Sequence, residues 1–288
     1  MPSLKDVKSQ IGGVKKTSQI TQAMNMVAAA KLRGAQSRME SFRPYKAKFN
    51  AAMGNLSGNM SAAEFPLMEV RPVNSVELIV ITSDRGLCGS FNSHIIRTAE
   101  KMMAQLEGEG KKVSLVCVGK KGARYFNKTG KVRKAYRDIM GSFQMFNARE
   151  IAQDVAAGFL AGDSDECRLV YGQFLSVATQ KPTSEQLLPI TPTESEGEPH
   201  GASDYIYEPS PGEIMEVLLP LYLNVMVYSS MLEVGASEHA ARMTAMDNAT
   251  KACKDMIHDL TLVYNKARQA GITAELMDIV GGAEALKG

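Results

Sequence analysis

The chain of 288 residues, 44% hydrophobic and 22% charged, has the balance of an ordinary soluble globular protein, with length for one domain plus a long extension or for two domains. A formal net charge of +2 singles out no class of partner. The four cysteines, Cys88, Cys117, Cys167 and Cys253, share no CxxC spacing, which excludes a zinc ribbon and a thioredoxin motif, and four in 288 residues do not make a disulfide framework, which fits a reducing, cytoplasmic compartment.

The first residues, Met-Pro-Ser-Leu-Lys-Asp, contain no apolar signal region. Ser3 followed by Asp6 predicts a capping box at the start of a helix over 3–60. Leu4, Val7, Ile11 and Val14 alternate steps of three and four, the seam of a coiled coil, and the pattern continues through Ile20, Met24, Val27 and Leu32. Pro44 is expected to kink or interrupt this helix. Residues 1–50 carry ten Lys or Arg against Asp6 and Glu40. That charge fits nucleic acid, an acidic membrane surface, an acidic protein partner or simply a solvated helix face. With no aromatic residue before Phe42 and Tyr45, and no recognisable nucleic-acid-binding pattern, an acidic protein surface fits better than nucleic acid.

The pattern changes over 70–192. Short apolar runs at 76–82, 113–118 and 168–174 read as strands, and stretches near 93–108 and 147–161 read as helices, which predicts a small open α/β sheet. The turn Ser83-Asp-Arg-Gly-Leu-Cys-Gly89 follows a strand and precedes a helix, the place where α/β folds hold phosphate. Its Gly86 and Gly89 make neither GxGxxG nor a P-loop, and no Lys follows to reach a phosphate. Gly119-Lys-Lys-Gly122 falls equally short. The turn is therefore expected to present Asp84 and Arg85 to a protein partner. Cys88 lacks a base in helical register with it, since His94 is six residues on, and reads as a plain loop thiol. His94, His200, His239 and His258 show no metal spacing, and no carboxylate pair is set for acid–base work.

Residues 193–211, rich in Pro, Glu, Ser and Gly, read as a linker. Residues 212–280 read as a second long helix. One heptad row runs Val225, Leu232, His239, Met246, Cys253, Leu260, Ala267, and a second runs Ala236, Met243, Thr250, Ile257, Tyr264. At about 1.5 Å per residue such a helix exceeds the width of a compact domain of this size, and its only local partner is the N-terminal helix. Ile214 to Met231 is long enough to span a membrane, but Glu216, Pro220 and Asn224 favour a buried helix. Pro220 is expected to bend the helix or mark its effective start. The predicted fold class is α/β: a long antiparallel coiled coil of the N-terminal (1–60) and C-terminal (212–288) helices, plus a central Rossmann-like α/β domain (70–192). Small and polar seam residues (His239, Thr250, Ala267) leave a slim rod suited to sit inside something else.

Three motifs carry a family resemblance. Ile20-Thr-Gln-Ala-Met-Asn-Met-Val-Ala-Ala-Ala-Lys-Leu-Arg33, Ser83-Asp-Arg-Gly-Leu-Cys-Gly89, and the pair Ser237-Glu-His-Ala-Ala-Arg-Met-Thr-Ala-Met246 with Tyr264-Asn-Lys-Ala-Arg-Gln-Ala-Gly-Ile-Thr-Ala-Glu275 resemble, in order across 3–286, the gamma subunit family of F-type ATP synthases, bacterial type. The resemblance implies a non-catalytic rotor shaft without cofactor. Its coiled coil would stand inside the alpha3beta3 ring, with its foot on the c-subunit ring beside epsilon. Its membrane association would be indirect, through the c ring, at the cytoplasmic face of the cell inner membrane. It also implies residue roles. Met24 would face an acidic hinge loop of beta, where a positive charge would impair coupling. Arg242, Gln269, Ala270, Ile272, Thr273 and Glu275 would be linked with it functionally. Arg85 and Cys88 would approach the lower beta surface, and Tyr205, Tyr207 and Glu208 would face the c ring and epsilon. Two readings from other classes are a nucleotide-dependent α/β enzyme with a coiled-coil arm and a static scaffold.

Overall fold

The structure, a computed structural model, describes residues 3–57, 65–191, 208 and 210–285. Two long helices open and close the chain: α1 (Leu4–Ser57) and α5 (Pro211–Ala285). The predicted capping box starts α1. The Asp6 N–H donates to Ser3 Oγ at 3.2 Å, and the Ser3 hydroxyl donates to the Asp6 carboxylate at 2.7 Å. A second such box, unread from sequence, starts α5. The Glu213 N–H donates to Ser210 Oγ at 3.3 Å and the Ser210 hydroxyl returns a bond to Glu213 at 2.9 Å. Pro211 occupies the first helical position, where its missing N–H has no intrahelical partner to lose.

Neither proline interrupts its helix. The helix runs through Pro44 because the residues beside it are held by tertiary contacts. Phe42 packs edge-on against Tyr228 at 5.0 Å, and Arg43 pairs with Glu233 at 3.0 Å. Pro220 lies inside α5, between buried Leu219 and Leu223, and does not mark its start. In the apolar stretch 214–231, Met215, Leu219, Leu223, Val225, Val227 and Met231 are buried within the protein, as a core helix requires.

The chain forms two compact units, Met1–Ala28 with Met243–Gly288, and Ala29–Arg242. In the first, the two helices pair in opposite directions. Thr21 and Thr250 share a buried hydroxyl–hydroxyl bond of 2.7 Å, and Asn25 Nδ2 donates to the Met243 carbonyl at 2.9 Å, so later positions on α1 meet earlier ones on α5. On α5 the heptad positions Met243, Met246, Thr250, Cys253, Ile257, Leu260, Tyr264 and Ala267 are buried or half-buried, as are Ala245, Ala249 and Gly271 beside those rows. On α1 the seam departs from expectation. It keeps the phase set by Val7, Ile11 and Val14 and continues through Ser18, Thr21, Asn25 and Ala28. Ile20 and Val27, read as seam residues, are 59% and 57% exposed. Helix geometry fixes the phase, and hydrophobicity alone misplaces it here.

The second unit holds a five-stranded sheet: β1 (Ser75–Ile81), β2 (Lys112–Val118), β3 (Val132–Tyr136), β4 (Glu166–Phe174) and β5 (Gln180–Leu188). The order is β3-β2-β1-β4-β5, parallel except for β5, which runs antiparallel to β4. The connecting helices are α2 (Phe91–Gly108), α3 (Lys120–Phe126) and α4 (Met145–Leu160). The central strand β1 is buried from Val76 to Ile81. The two strands unread from sequence are the two edges. Polar β5 even tolerates Pro182, because an edge strand pairs on one side only.

Gly172 on β4 shows how tightly this unit packs. A Cβ there would lie 2.5 Å from Phe91 Cε2 and 3.3 Å from Ile95 Cδ1, and the Gly172 carbonyl accepts from the buried Ser237 hydroxyl of α5 at 3.1 Å. Gly172→Ala is expected to destabilise the chain by about 1–3 kcal/mol through overpacking, measured by urea denaturation. Thr21→Val or Thr250→Val alone should each cost about 1 kcal/mol. The double substitution should cost less than their sum, because no buried hydroxyl is left facing a methyl.

Candidate functional site

The turn from β1 to α2 is held from three sides. Inside, the Ser83 N–H donates to Asn92 Oδ1 at 3.0 Å, the Ser83 hydroxyl donates to the Arg85 carbonyl at 2.6 Å, and Asn92 Nδ2 lies 3.2 Å from Cys88 Sγ. Cys88 is buried in this network, and burial, only partly opposed by the Arg242 charge, pushes its thiol above the ordinary range. A protonated, enclosed thiol is a structural residue and not a nucleophile.

On the second side, Asp84 departs from expectation. Its carboxylate turns inward and accepts the N–H groups of Lys120 at 2.9 Å, Asp138 at 3.0 Å and Met140 at 2.9 Å. It thereby ties the turn to the start of α3 and to the segment before α4. Beside it, Thr82 accepts the Gly122 N–H at 2.9 Å. Gly119, at φ 93°, permits the close approach: a Cβ there would meet the Thr82 carbonyl oxygen at 2.1 Å.

On the third side stands α5. Arg242, buried on this helix, donates to the Gly86 carbonyl at 3.1 Å and to Glu238 Oε1 at 2.7 Å, and its Nη1 lies 3.3 Å from His239 Nδ1. A guanidinium only donates, so His239 Nδ1 is the acceptor and the imidazole proton sits on Nε2. The Glu238–Arg242 pair is buried at both ends, and the further donors of the guanidinium reach carbonyl oxygens, the condition under which such a pair is tolerated. Burial raises the Glu238 carboxyl above its usual range, with Arg242 opposing. Burial, followed by the charges of Arg242, Lys31, Arg38 and Arg85, holds His239 down at about 4.

The same helix covers the end of β4. The Phe174 N–H donates to Glu233 Oε2 at 2.8 Å, while Arg43 of α1 donates to Glu233 Oε1 at 3.0 Å and to the Phe174 carbonyl at 3.2 Å. β1 and β4 are the neighbours at which the strand order reverses, the place where open α/β sheets bind ligands. Here α5 lies across the carboxyl ends of both.

Of the residues predicted to act, Arg85 is exposed on the turn, while Cys88 and Arg242 are buried beneath it; the structure brings these three together. Met24 is half-buried on α1 in the other unit. Gln269, Ala270, Ile272, Thr273 and Glu275 are exposed on α5 in that unit. Glu208 is exposed, and Tyr205 and Tyr207 lie outside the described residues, as does nearly all of the linker 193–211. Glu238, Asn92 and Glu233 were missed, although the i, i+4 spacing of Glu238 and Arg242 is a legible signal.

A pH dependence follows from His239. The unfolded imidazole takes a proton near its usual 6.5 and the folded one near 4, so folding forgoes a proton between these values. The associated stability is complete above pH 6.5 and falls as the pH drops toward 4. In His239→Gln, the fall in Tm from pH 7 to pH 4.5 is expected to be smaller than in the wild type, read by thermal melts at both pH values.

The family model described as ATP synthase matches residues 3–286. The chain is 65% identical over 290 residues to the ATP synthase gamma chain of Desulfotalea psychrophila and 54% identical over 293 residues to that of Nitratidesulfovibrio vulgaris, each over 100% of both chains. A chain in the central stalk and c-ring structure of the Tetrahymena thermophila mitochondrial ATP synthase is similar over 80% of this chain and 99% of its own length, at 26% identity and TM-score 0.62. A chain of the Euglena gracilis mitochondrial ATP synthase shares the fold over 98% of this chain and 94% of its own, at 20% identity and TM-score 0.70. The chain therefore belongs to the ATP synthase gamma chain family.

Proposed function

We propose that this chain is the central rotor shaft of an F-type ATP synthase. It couples proton-driven rotation of the c ring to ATP synthesis or hydrolysis at the beta subunits of the alpha3beta3 head. The observation that carries this reading is apolar surface on both helices of the terminal pair. Ile20, Met26 and Val27 on α1, and Leu262, Val263, Ile272, Leu276, Met277, Ile279 and Val280 on α5, are exposed. Helices that keep Thr and Asn in their own seam while leaving so many Ile, Leu and Val outward are suited to a sleeve of other subunits. Central-stalk and rotor structures among the relatives support the same reading.

In this reading 1–60 and 212–288 form the shaft, 70–192 the domain at its foot and 193–211 a linker. Met24, Arg85, Cys88, Arg242, Gln269, Ala270, Ile272, Thr273 and Glu275 serve coupling to beta, Cys88 and Arg242 through the turn that they hold. Tyr205, Tyr207 and Glu208 face the c ring and epsilon. The chain is a subunit of an enzyme complex, and we assign it no catalysis or cofactor of its own. That assignment is supported by α5 and its side chains occupying the crevice where an α/β sheet would bind a ligand. The complex sits at the cytoplasmic face of the cell inner membrane, with this chain held there through the c ring. The shaft acts by population shift: each beta subunit meets a different face of it in turn, and the face that binds one beta conformation better draws the site into that state.

Reconstitution with alpha and beta subunits tests the assignment. Hydrolysis by the ring is expected to depend on this chain, and a ring indifferent to it would refute the rotor reading. Met24→Lys is expected to lower ATP-driven proton pumping severalfold more than ATP hydrolysis. Equal losses in both assays would remove Met24 from the coupling contacts.

A further inference from the structure

Within one short stretch of α5, side chains bond to the ends of two neighbouring strands. Glu233 accepts the Phe174 N–H at 2.8 Å, Ser237 donates to the Gly172 carbonyl at 3.1 Å, and Arg242 donates to the Gly86 carbonyl at 3.1 Å. Arg242 is also the last residue of α5 in the unit that holds the sheet; from Met243 the helix belongs to the other unit. At about 100° per residue, Glu233 and Ser237 lie about 40° apart around the helix axis, and Glu233 and Arg242 about 180° apart. Anchors on opposite sides of an axis act as a couple, opposing its rotation without pushing it sideways.

The prolines add a second observation. Pro44 has no N–H to give the Glu40 carbonyl, and Pro220 has none for the Glu216 carbonyl, so each helix lacks a backbone bond there. Arg43 precedes Pro44 on α1, and Glu233 follows Pro220 on α5. In both helices the anchor therefore lies between the proline and the residues that belong to the other unit. Arg43 donates to Glu233 at 3.0 Å and to the Phe174 carbonyl at 3.2 Å, so α1, α5 and β4 meet at one carboxylate. Burying a carboxylate is a poor route to adhesion, since apolar side chains of similar volume hold elements together as well. What the Glu233 carboxylate supplies instead is direction.

We infer that residues 233–242 of α5 are a torsional joint, where twist passes between the sheet domain and the terminal helices, and that Glu233 is its positioning residue, fixing the angle of α5 against β4 and α1 together. Only a rotor twists this joint, so the assignment rests on the rotor reading, and it adds where along the chain the twist is carried. The turn of α5 around Pro220 lies outside that path.

Torsional stiffness in the assembled complex tests the joint. The alpha3beta3 ring is immobilised and stalled with a non-hydrolysable nucleotide. A rod is attached to the sheet domain through Lys112→Cys, an exposed position at the start of β2, in a Cys253→Ser background, the other three cysteines being buried. The variance of the rod angle is expected to rise about twofold or more in Glu233→Ala, because the Phe174 N–H and the Arg43 guanidinium both lose their acceptor. It should rise less in Glu233→Gln, which keeps an acceptor for the Phe174 N–H and loses the charge that holds Arg43. Glu77→Gln controls for stability alone. Glu77 is a buried carboxylate of β1 whose bonds reach Ser114 of β2 and Arg133 of β3. This variant is expected to lower the Tm of the chain and to leave the variance as in the wild type. An unchanged variance in Glu233→Ala would overturn the joint, and so would an equal rise in Glu77→Gln, the mark of lost stability. Should Glu233→Ala fail to assemble, Glu233→Gln decides, and a variance equal to the wild type overturns the joint. A wild-type rod that stays still when ATP replaces the stalling nucleotide would overturn the rotor reading as well. A wild-type rod that turns, beside a Glu233→Ala rod no looser than it, overturns the joint alone.

Discussion

The Glu233 carboxylate joins three elements, and the attachment of the helices to the sheet depends on it. One oxygen accepts Arg43 of α1, the other accepts the last N–H of β4, and the helix that carries it is α5. Arg43 also donates to the Phe174 carbonyl, so the end of β4 is bound through both its donor and its acceptor. A single carboxylate so surrounded is satisfied without water, the condition for a buried charge to be tolerated. Ser237 and Arg242, four and nine residues further along α5, add bonds to the carbonyls of Gly172 and Gly86. These are directional bonds, and they resist rotation of α5 about its axis as well as its separation from the sheet.

Much of this was legible in the sequence. The Ser3–Asp6 box, the phase of Val7, Ile11 and Val14, and the paired rows on α5 place the helices correctly because each depends on neighbours within a few turns. What was not legible was set by residues distant in sequence. Ile20 reads as a seam residue until Thr21 is seen bonded to Thr250, and Pro44 reads as a break until Tyr228 and Glu233 are seen beside it. β3 and β5 lack apolar runs because edge strands have one free side. Asp84 was expected to face a protein partner because its turn carries no phosphate-binding motif. Its three backbone donors come from Lys120, Asp138 and Met140, which no local pattern connects to it.

The seam of the terminal helix pair uses Thr21, Asn25, Ala28 and Thr250 where Leu would bind more strongly. The hydroxyl pair and the Asn25 bond give up apolar burial and in return define the register, since a slip of one heptad would strand a buried polar group. Register matters little to a helix pair that only needs to be stable. It matters a great deal to one whose outer surface must present particular residues at particular heights to other subunits.

The same logic explains why a sheet with glycine-rich turns at its carboxyl ends performs mechanics. In open α/β sheets that bind nucleotides, backbone N–H groups at the corresponding turns face a phosphate. Here the Lys120 N–H is taken by Asp84, the Gly122 N–H by Thr82, the Lys121 N–H by the Ser83 carbonyl and the Ser83 N–H by Asn92. The donors are turned toward the protein itself, and the crevice beside them is closed by α5. Each substitution of an internal acceptor for a ligand converts a site that must open and close into a joint that must stay shut. A turn so thoroughly bonded holds Leu87 at φ 63°, a backbone conformation that leucine rarely adopts and that persists only where the surroundings over-determine it.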